Sequence, residues 1–293
     1  SLVKKIKTVL LFALLITLSA CSVKPENVLV QMTDHSPSQM MGYIIQSNGK
    51  TIVVDGGTRE DKDALLEELK KIDDDNVVDA WLLTHYHKDH TGALAAYLDS
   101  GADDLDIESI YYDFPNENFV ATYEPNRLED LTNITSSLEQ HVSQDTLHKN
   151  EAGEKIELGD TVIDIVRVFN PLITENAGNN SSTVYKIETN GNKILFLGDL
   201  GLEGGEQLLT KKKKEIENMD YVQMAHHGQN GVGEEVYEVI HPKYCLWPTP
   251  EWLWENANNE YRTDETKEWI SKLHVKKNYI AKDGVQEISL SSK

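Results

Sequence analysis

Apolar positions in this chain fall in short bursts separated by turn residues, and the bursts predict a strand-rich fold. Runs over 28–32, 41–46, 51–54, 78–83 and 109–113 have the length and composition of strands. A second group follows over 155–158, 161–169, 182–188, 193–197, 221–225, 244–248, 277–281 and 287–290. Ser47-Asn48-Gly49, Leu158-Gly159-Asp160 and Asn190-Gly191-Asn192 join several of them as turns. Apolar residues at helical spacing predict helices over 59–72, 93–98, 129–142, 205–219, 233–240 and 263–273. Two strand-rich blocks, each followed by helices, imply two sheets packed face to face with helices outside. No Pro/Ser/Gly-rich linker breaks the chain from residue 28 onward, and no tandem repeat occurs, so a single α/β domain over 28–293 is expected. Roughly 270 residues are enough to bury a substantial core.

The first twenty residues are patterned differently. Lys4, Lys5 and Lys7 precede the apolar stretch Val9 to Leu18, which is too short for a comfortable membrane span. Leu18-Ser19-Ala20-Cys21 resembles a bacterial lipobox, a signal cut before its cysteine, which then receives lipid. The expectation is a signal peptide over 1–20, a tether over 21–27, and a domain anchored through lipid on Cys21 to the outer face of a bacterial membrane. Cys245 is then the one remaining thiol, which excludes an internal disulfide and a thiolate metal cage; it reads as a small buried hydrophobe. The whole chain carries a formal charge of −21. Without residues 1–20 it is −24, from 25 basic and 49 acidic side chains. That balance argues against broad electrostatic binding to nucleic acid. The basic cluster Lys211 to Lys214 reads as a solvated helix face in preference to a phosphate site, and it is where a local basic path for nucleic acid would have to lie. The aromatic stretch from Trp247 to Trp254 reads equally as a lip over a substrate or as loop packing.

The densest chemistry lies at Thr84-His85-Tyr86-His87-Lys88-Asp89-His90. It follows the apolar run Val77 to Leu83 directly, with Thr91-Gly92 opening a helix behind it. Side chains just past a rigid strand end are held in fixed geometry. Imidazole and carboxylate are the ligands that hold zinc, iron or manganese while leaving a position for water. Three further segments repeat the placement: Asp55-Gly56-Gly57, Gly198-Asp199-Leu200 and His226-His227-Gly228 each follow an apolar run. No Ser-His-Asp arrangement, nucleotide-binding glycine motif or phosphate-binding loop competes with a metal site.

Together these segments resemble the metallo-β-lactamase-fold hydrolase superfamily, over nearly all of the chain after the tether. The resemblance implies a four-layer αββα sandwich with metals at one edge. It implies that His85 and His87 hold a first metal, that Asp89 and His90 hold a second, and that Asp199 bridges both. A histidine from the His226-His227 pair would complete the second site. The sequence leaves either order open; His226 is assigned as the ligand and His227 as the hydrogen-bond donor or acid beside the substrate. Asp55 would orient the histidine loop. The chain departs from the superfamily in one place. Where a third histidine for the first metal is expected stands Gly178-Asn179-Asn180-Ser181-Ser182, and no histidine occurs between His148 and His226. This segment resembles the branch that includes the metallohydrolase domain of the bacterial competence DNA-uptake channel. It implies a first site that is weaker, suited to manganese, or completed by asparagine or water.

The implied cofactor is one or two divalent transition metal ions, zinc or manganese. Such an ion lowers the pKa of its bound water from about 15.7 to roughly 7. Asp89 would accept a proton from the nucleophile, while Asn180, Asn179 and the free histidine stabilise charge on oxygen. The leading expectation is a cell-surface hydrolase acting on a small or locally engaged phosphodiester. Nucleic acid is disfavoured by the net charge. Two alternatives differ in class: a carbonyl hydrolase of the same fold, opening a β-lactam, lactone or thioester, and a lipoprotein that binds metal or solute without turnover.

Overall fold

The structure is a computed structural model that describes residues 26–292. Cys21 and the signal-like segment lie outside the described residues. The strands are β1 (Val28–Gln31), β2 (Gly42–Ser47), β3 (Lys50–Asp55), β4 (Val77–Val78), β5 (Ala80–Leu82), β6 (Asp106–Ile107), β7 (Ile110–Tyr112) and β8 (Leu147–Lys149). Then follow β9 (Lys155–Leu158), β10 (Thr161–Arg167), β11 (Val184–Thr189), β12 (Asn192–Phe196), β13 (Tyr221–Gln223), β14 (Tyr244–Trp247), β15 (Lys277–Ile280) and β16 (Gln286–Ser289). The α-helices are α1 (Lys62–Ile72), α2 (Lys88–Asp99), α3 (Glu117–Tyr123), α4 (Leu128–His141) and α5 (Ala177–Asn180). The second group is α6 (Leu202–Lys211), α7 (Lys213–Ile216), α8 (Glu234–Ile240), α9 (Glu251–Glu255) and α10 (Thr263–Ser271).

One seven-stranded sheet runs β16-β1-β2-β3-β5-β7-β8 and the other β15-β14-β13-β12-β11-β10-β9. Alternation along each strand sorts side chains between two cores. Leu29, Tyr43, Ile45, Ile52 and Val54 point between the sheets, where they meet Ile163, Tyr185, Ile187, Ile194 and Phe196 of the second sheet. Their neighbours Val28, Val30, Ile44 and Val53 point outward onto Leu65 and Leu69 of α1, Ala93 and Leu94 of α2, and Leu131 and Ile134 of α4. On the far side Leu195, Val222 and Cys245 pack on Leu208, Val236, Ile240 and Ile270. The result is the αββα sandwich. Cys245 is fully buried, and burial pushes its thiol up to about 12, as suits a small hydrophobe. Among the described residues no helix is long and apolar enough to cross a membrane.

Several expectations are adjusted. The run 78–83 divides into β4 and β5, because Asp79 turns its carboxylate back to accept the Thr51 N–H at 2.8 Å. The helix expected from residue 93 begins at Lys88 instead. Thr91-Gly92 therefore lies inside α2 rather than opening it, and a Cβ on Gly92 would stand 2.7 Å from the Arg59 backbone nitrogen, so the glycine serves close packing. The strands β6 and β8 and the helices α3, α5 and α9 were not expected.

Candidate metal centre

The C-terminal ends of strands from both sheets converge on one edge. Asp55 ends β3, His85 follows β5, Asp199 follows β12 and His227 follows β13. Asp89 and His90 occupy the first turn of α2, with His87 just before it. A carboxylate in that turn is favoured by the helix dipole. Tyr185 ties the two sheets together beneath the site, its hydroxyl donating to the Leu83 carbonyl at 2.7 Å.

Two donor sets form here. Asp89, His90, Asp199 and His227 make one, and His85, His87 and Asp199 make the other. Within each set the donor atoms lie within 4.8 Å of one another, all on buried residues. Asp199 belongs to both. Hydrogen bonds decide which nitrogen each imidazole presents. His90 Nδ1 is 2.7 Å from Asp55 Oδ2, so it donates there and leaves Nε2 for the centre. His227 Nδ1 donates to the Pro248 carbonyl at 2.7 Å, again leaving Nε2. The Thr84 hydroxyl donates to Asp55 at 2.8 Å, so it accepts from His85 Nδ1 at 3.0 Å. His85 Nε2, His90 Nε2 and Asp199 Oδ1 are then buried without a hydrogen-bond partner. Polar atoms buried and unsatisfied within one cluster of donors are what a cation site requires.

The electrostatics fit the same group. Burial pushes His85 down to about 3, so it is neutral and its lone pair is free. Burial alone would strip His90 of its proton, but Asp199, Asp89 and Asp55 outweigh it and lift its pKa well above the usual value. His227 is likewise opposed by burial, and Asp199 and Asp89 raise it to about 9. Burial also works against the charges on Asp89 and Asp199, yet the neighbouring histidines hold both carboxyls well below the usual range. The carboxylates and imidazoles of the cluster thus stabilise each other's charged forms against burial.

Asp55 anchors the arrangement. It sits in the left-handed region at φ 57° and accepts from the Thr84 N–H and hydroxyl, both at 2.8 Å, as well as from His90. Its burial raises the carboxyl, with the hydrogen bonds opposing. On the second sheet, the Gln223 side chain accepts the Leu197 and Gly198 N–H groups at 2.8 Å, and Ser182 Oγ accepts the Asp199 N–H at 3.1 Å. The backbone that carries the shared Asp199 is therefore held from two directions.

Five of the six expected ligands come together, His85, His87, Asp89, His90 and Asp199, and in place of His226 stands its neighbour His227. The assigned order of the pair is exchanged. Both residues are left-handed, at φ 50° and 57°, and this double turn sends the His227 ring into the cluster. His226 stands beside it with ring centroids 6.2 Å apart and a buried, unpartnered Nδ1. Non-glycine residues in that region cost about 1–3 kcal/mol each and gather at functional sites. Burial lowers the His226 pKa. Asn180 differs from expectation as well. Its Oδ1 accepts from the Gly201 and Gly204 N–H groups at 3.0 Å, and its Nδ2 donates to the Glu175 carbonyl and to Glu203 at 2.9 Å. With its amide fully used, it braces the start of α6 and offers nothing to a substrate. Asn179 keeps an unpartnered buried Oδ1.

Sequence reasoning missed Glu124, at the end of α3. Its Oε1 lies 2.7 Å from His87 Nε2 and 2.5 Å from the Tyr86 hydroxyl. Burial opposes its charge, but these contacts outweigh it and hold the carboxyl below the usual value. Nothing in the sequence separates it from the other 48 of 49 acidic residues. The aromatic stretch is in part loop packing. Trp247 and Trp254 pack edge to face at 5.1 Å, while Trp252 is 42% exposed.

A buried pair of His/Asp donor sets at the edge of an αββα sandwich defines a metal-binding protein. The chain belongs to the metallo-β-lactamase superfamily, whose family profile matches residues 38–241. Its members are generally metal-dependent hydrolases. Solved structures share the fold. The metallo-β-lactamase fold protein YhfI from Bacillus subtilis aligns with TM-score 0.52 and 14% identity, over 88% of this chain and 99% of that one. CmlA, a diiron β-hydroxylase from Streptomyces venezuelae, aligns with TM-score 0.57 and 11% identity over 92% of this chain; the alignment spans 55% of CmlA. No curated protein matches the chain.

Proposed function

We propose that this protein is a cell-surface metallohydrolase that cleaves a small phosphodiester with one or two zinc or manganese ions. The observation that carries the reading is the pair of buried donor sets sharing Asp199, which hold His85 Nε2, His90 Nε2 and Asp199 Oδ1 without a hydrogen-bond partner. When bound, the metal supplies an activated water and a Lewis acid. The chain's own groups do the rest. Asp89, buried beside His227 at 2.9 Å, is placed to take a proton within the site. His226 is the imidazole left free for substrate, taking the role first given to His227. Attack on phosphorus would add negative charge to the transition state, which the nearby His226 imidazole is placed to stabilise. The Asn179-Asn180-x-Ser182 segment supports the nuclease-like branch over carbonyl hydrolysis. The formal charge of −21 supports a small substrate over a long polyanion.

The test is hydrolysis by the metal-reconstituted protein of bis-p-nitrophenyl phosphate, single-stranded DNA, β-lactams and lactones. Manganese- or zinc-dependent turnover of the first is expected. Opening of lactams or lactones with every phosphodiester ignored replaces this reading by the carbonyl one, and no turnover of any substrate leaves a binding protein. Surface anchoring rests on Cys21. The wild type should incorporate a fatty-acid probe and Cys21→Ala should not; equal labelling sinks the lipoprotein reading.

A further inference from the structure

Three of the four imidazoles in the donor sets have one ring nitrogen held by a fixed acceptor: Thr84 Oγ1 for His85, Asp55 for His90 and the Pro248 carbonyl for His227. The fourth, His87, is held by Glu124. We propose that Glu124 is the positioning residue of His87: by accepting the Nε2–H it leaves Nδ1 as the nitrogen His87 gives to a metal in the first donor set. This rests on the metal reading of that set.

The surroundings of Glu124 fix the carboxylate in place. The Tyr86 hydroxyl donates to the same Oε1 that faces His87. The Glu124 N–H donates to the Val120 carbonyl at 2.8 Å, and its own carbonyl accepts the Arg127 N–H at 2.9 Å. Pro125 follows and restricts the backbone further. The space for the carboxylate comes from Gly178. A Cβ there would stand 2.1 Å from Glu124 Oε1 and 2.4 Å from His87 Nε2. Gly178 lies within α5 and has no positive φ, so close approach rather than backbone freedom is what its missing side chain provides. The segment that would be expected to bring a third histidine thus brings a recess, and Glu124 fills it. Glu124 is not among the donors gathered around Asp199, so it acts through His87.

Partners of this kind fix ring orientation and tautomer, and their loss typically lowers metal affinity about 10–100-fold. The experiment uses the full chain with ¹⁵N-labelled histidine. In the metal-free protein, ¹⁵N spectra should show His87 as the Nε2–H tautomer; an Nδ1–H tautomer overturns the proposal. With ¹¹³Cd bound, scalar coupling should reach His87 through Nδ1. Coupling through Nε2, with His90 and His227 still coupled, overturns the proposal and leaves the metal reading standing. Absence of coupling to every histidine defeats both. Competition titration supplies the second arm. Glu124→Ala and Gly178→Ala should each weaken first-set affinity about 10–100-fold. Glu124→Gln, which keeps an acceptor oxygen, should recover part of it. Unchanged affinity in a folded Glu124→Ala protein rejects the role.

Discussion

The two donor sets share Asp199 but are built differently. The set of Asp89, His90, Asp199 and His227 offers four protein donors, and its histidines are braced by Asp55 at a strand end and by the Pro248 carbonyl. The set of His85, His87 and Asp199 offers three, and His87 leans on Glu124, whose side chain is 16% exposed at the end of a short helix. One half has four protein donors and leaves little room for others; the other has three, with His85 steadied by Thr84 and His87 by one carboxylate. Open positions are where water and substrate enter, whereas closed ones retain metal. The difference predicts a division of labour: tight binding in the four-donor set, weaker binding and substrate engagement in the three-donor set.

The largest effect belongs to the shared residue. Asp199→Ala should remove a donor from both sets, losing most bound metal and lowering turnover at least about a hundredfold. Elemental analysis beside far-UV circular dichroism checks that the fold is kept. Retention of full metal by this variant breaks the comparison at its root. Next comes His226→Ala. It should keep the metal content of the wild type while turnover falls about a hundredfold, the lower end of what a positioned acid or base contributes. If this variant loses metal instead, the two histidines have the roles first assigned from sequence. Asp55→Asn should lower affinity in the four-donor set about 10–100-fold, since one amide oxygen cannot accept all three donors now on the carboxylate. A chelator competition measures it. Asn180→Ala should touch neither set. Its expected cost is stability, about 1–3 kcal/mol from the Gly201 and Gly204 N–H groups left unpaired, read as a lower denaturant midpoint. Loss of metal without loss of stability would return Asn180 to the site.

What was legible in the sequence follows a physical line. Asp55, His85 and Asp199 each stand at the end of an apolar run, so local pattern reveals both the strand and the exposed end. The αββα layering follows from the same alternation. Glu124 was not legible because its meaning depends on contacts 37 residues away in the chain and on the recess at Gly178. The order of His226 and His227 was hidden because two consecutive left-handed residues, not any periodicity, decide which ring points inward. Asn180 misled because a polar residue in the right place looks available until its four hydrogen bonds are seen. The strand β8 was missed because an edge strand with two of three residues exposed carries no apolar alternation.

Stepwise metal titration of the wild type, His87→Ala and His227→Ala against a competing chelator tests the central claim most directly. The account predicts two binding steps in the wild type. His227→Ala should abolish the tighter step and His87→Ala the weaker one. Identical losses in both variants, or no stoichiometric transition metal in the reconstituted wild type, would contradict it.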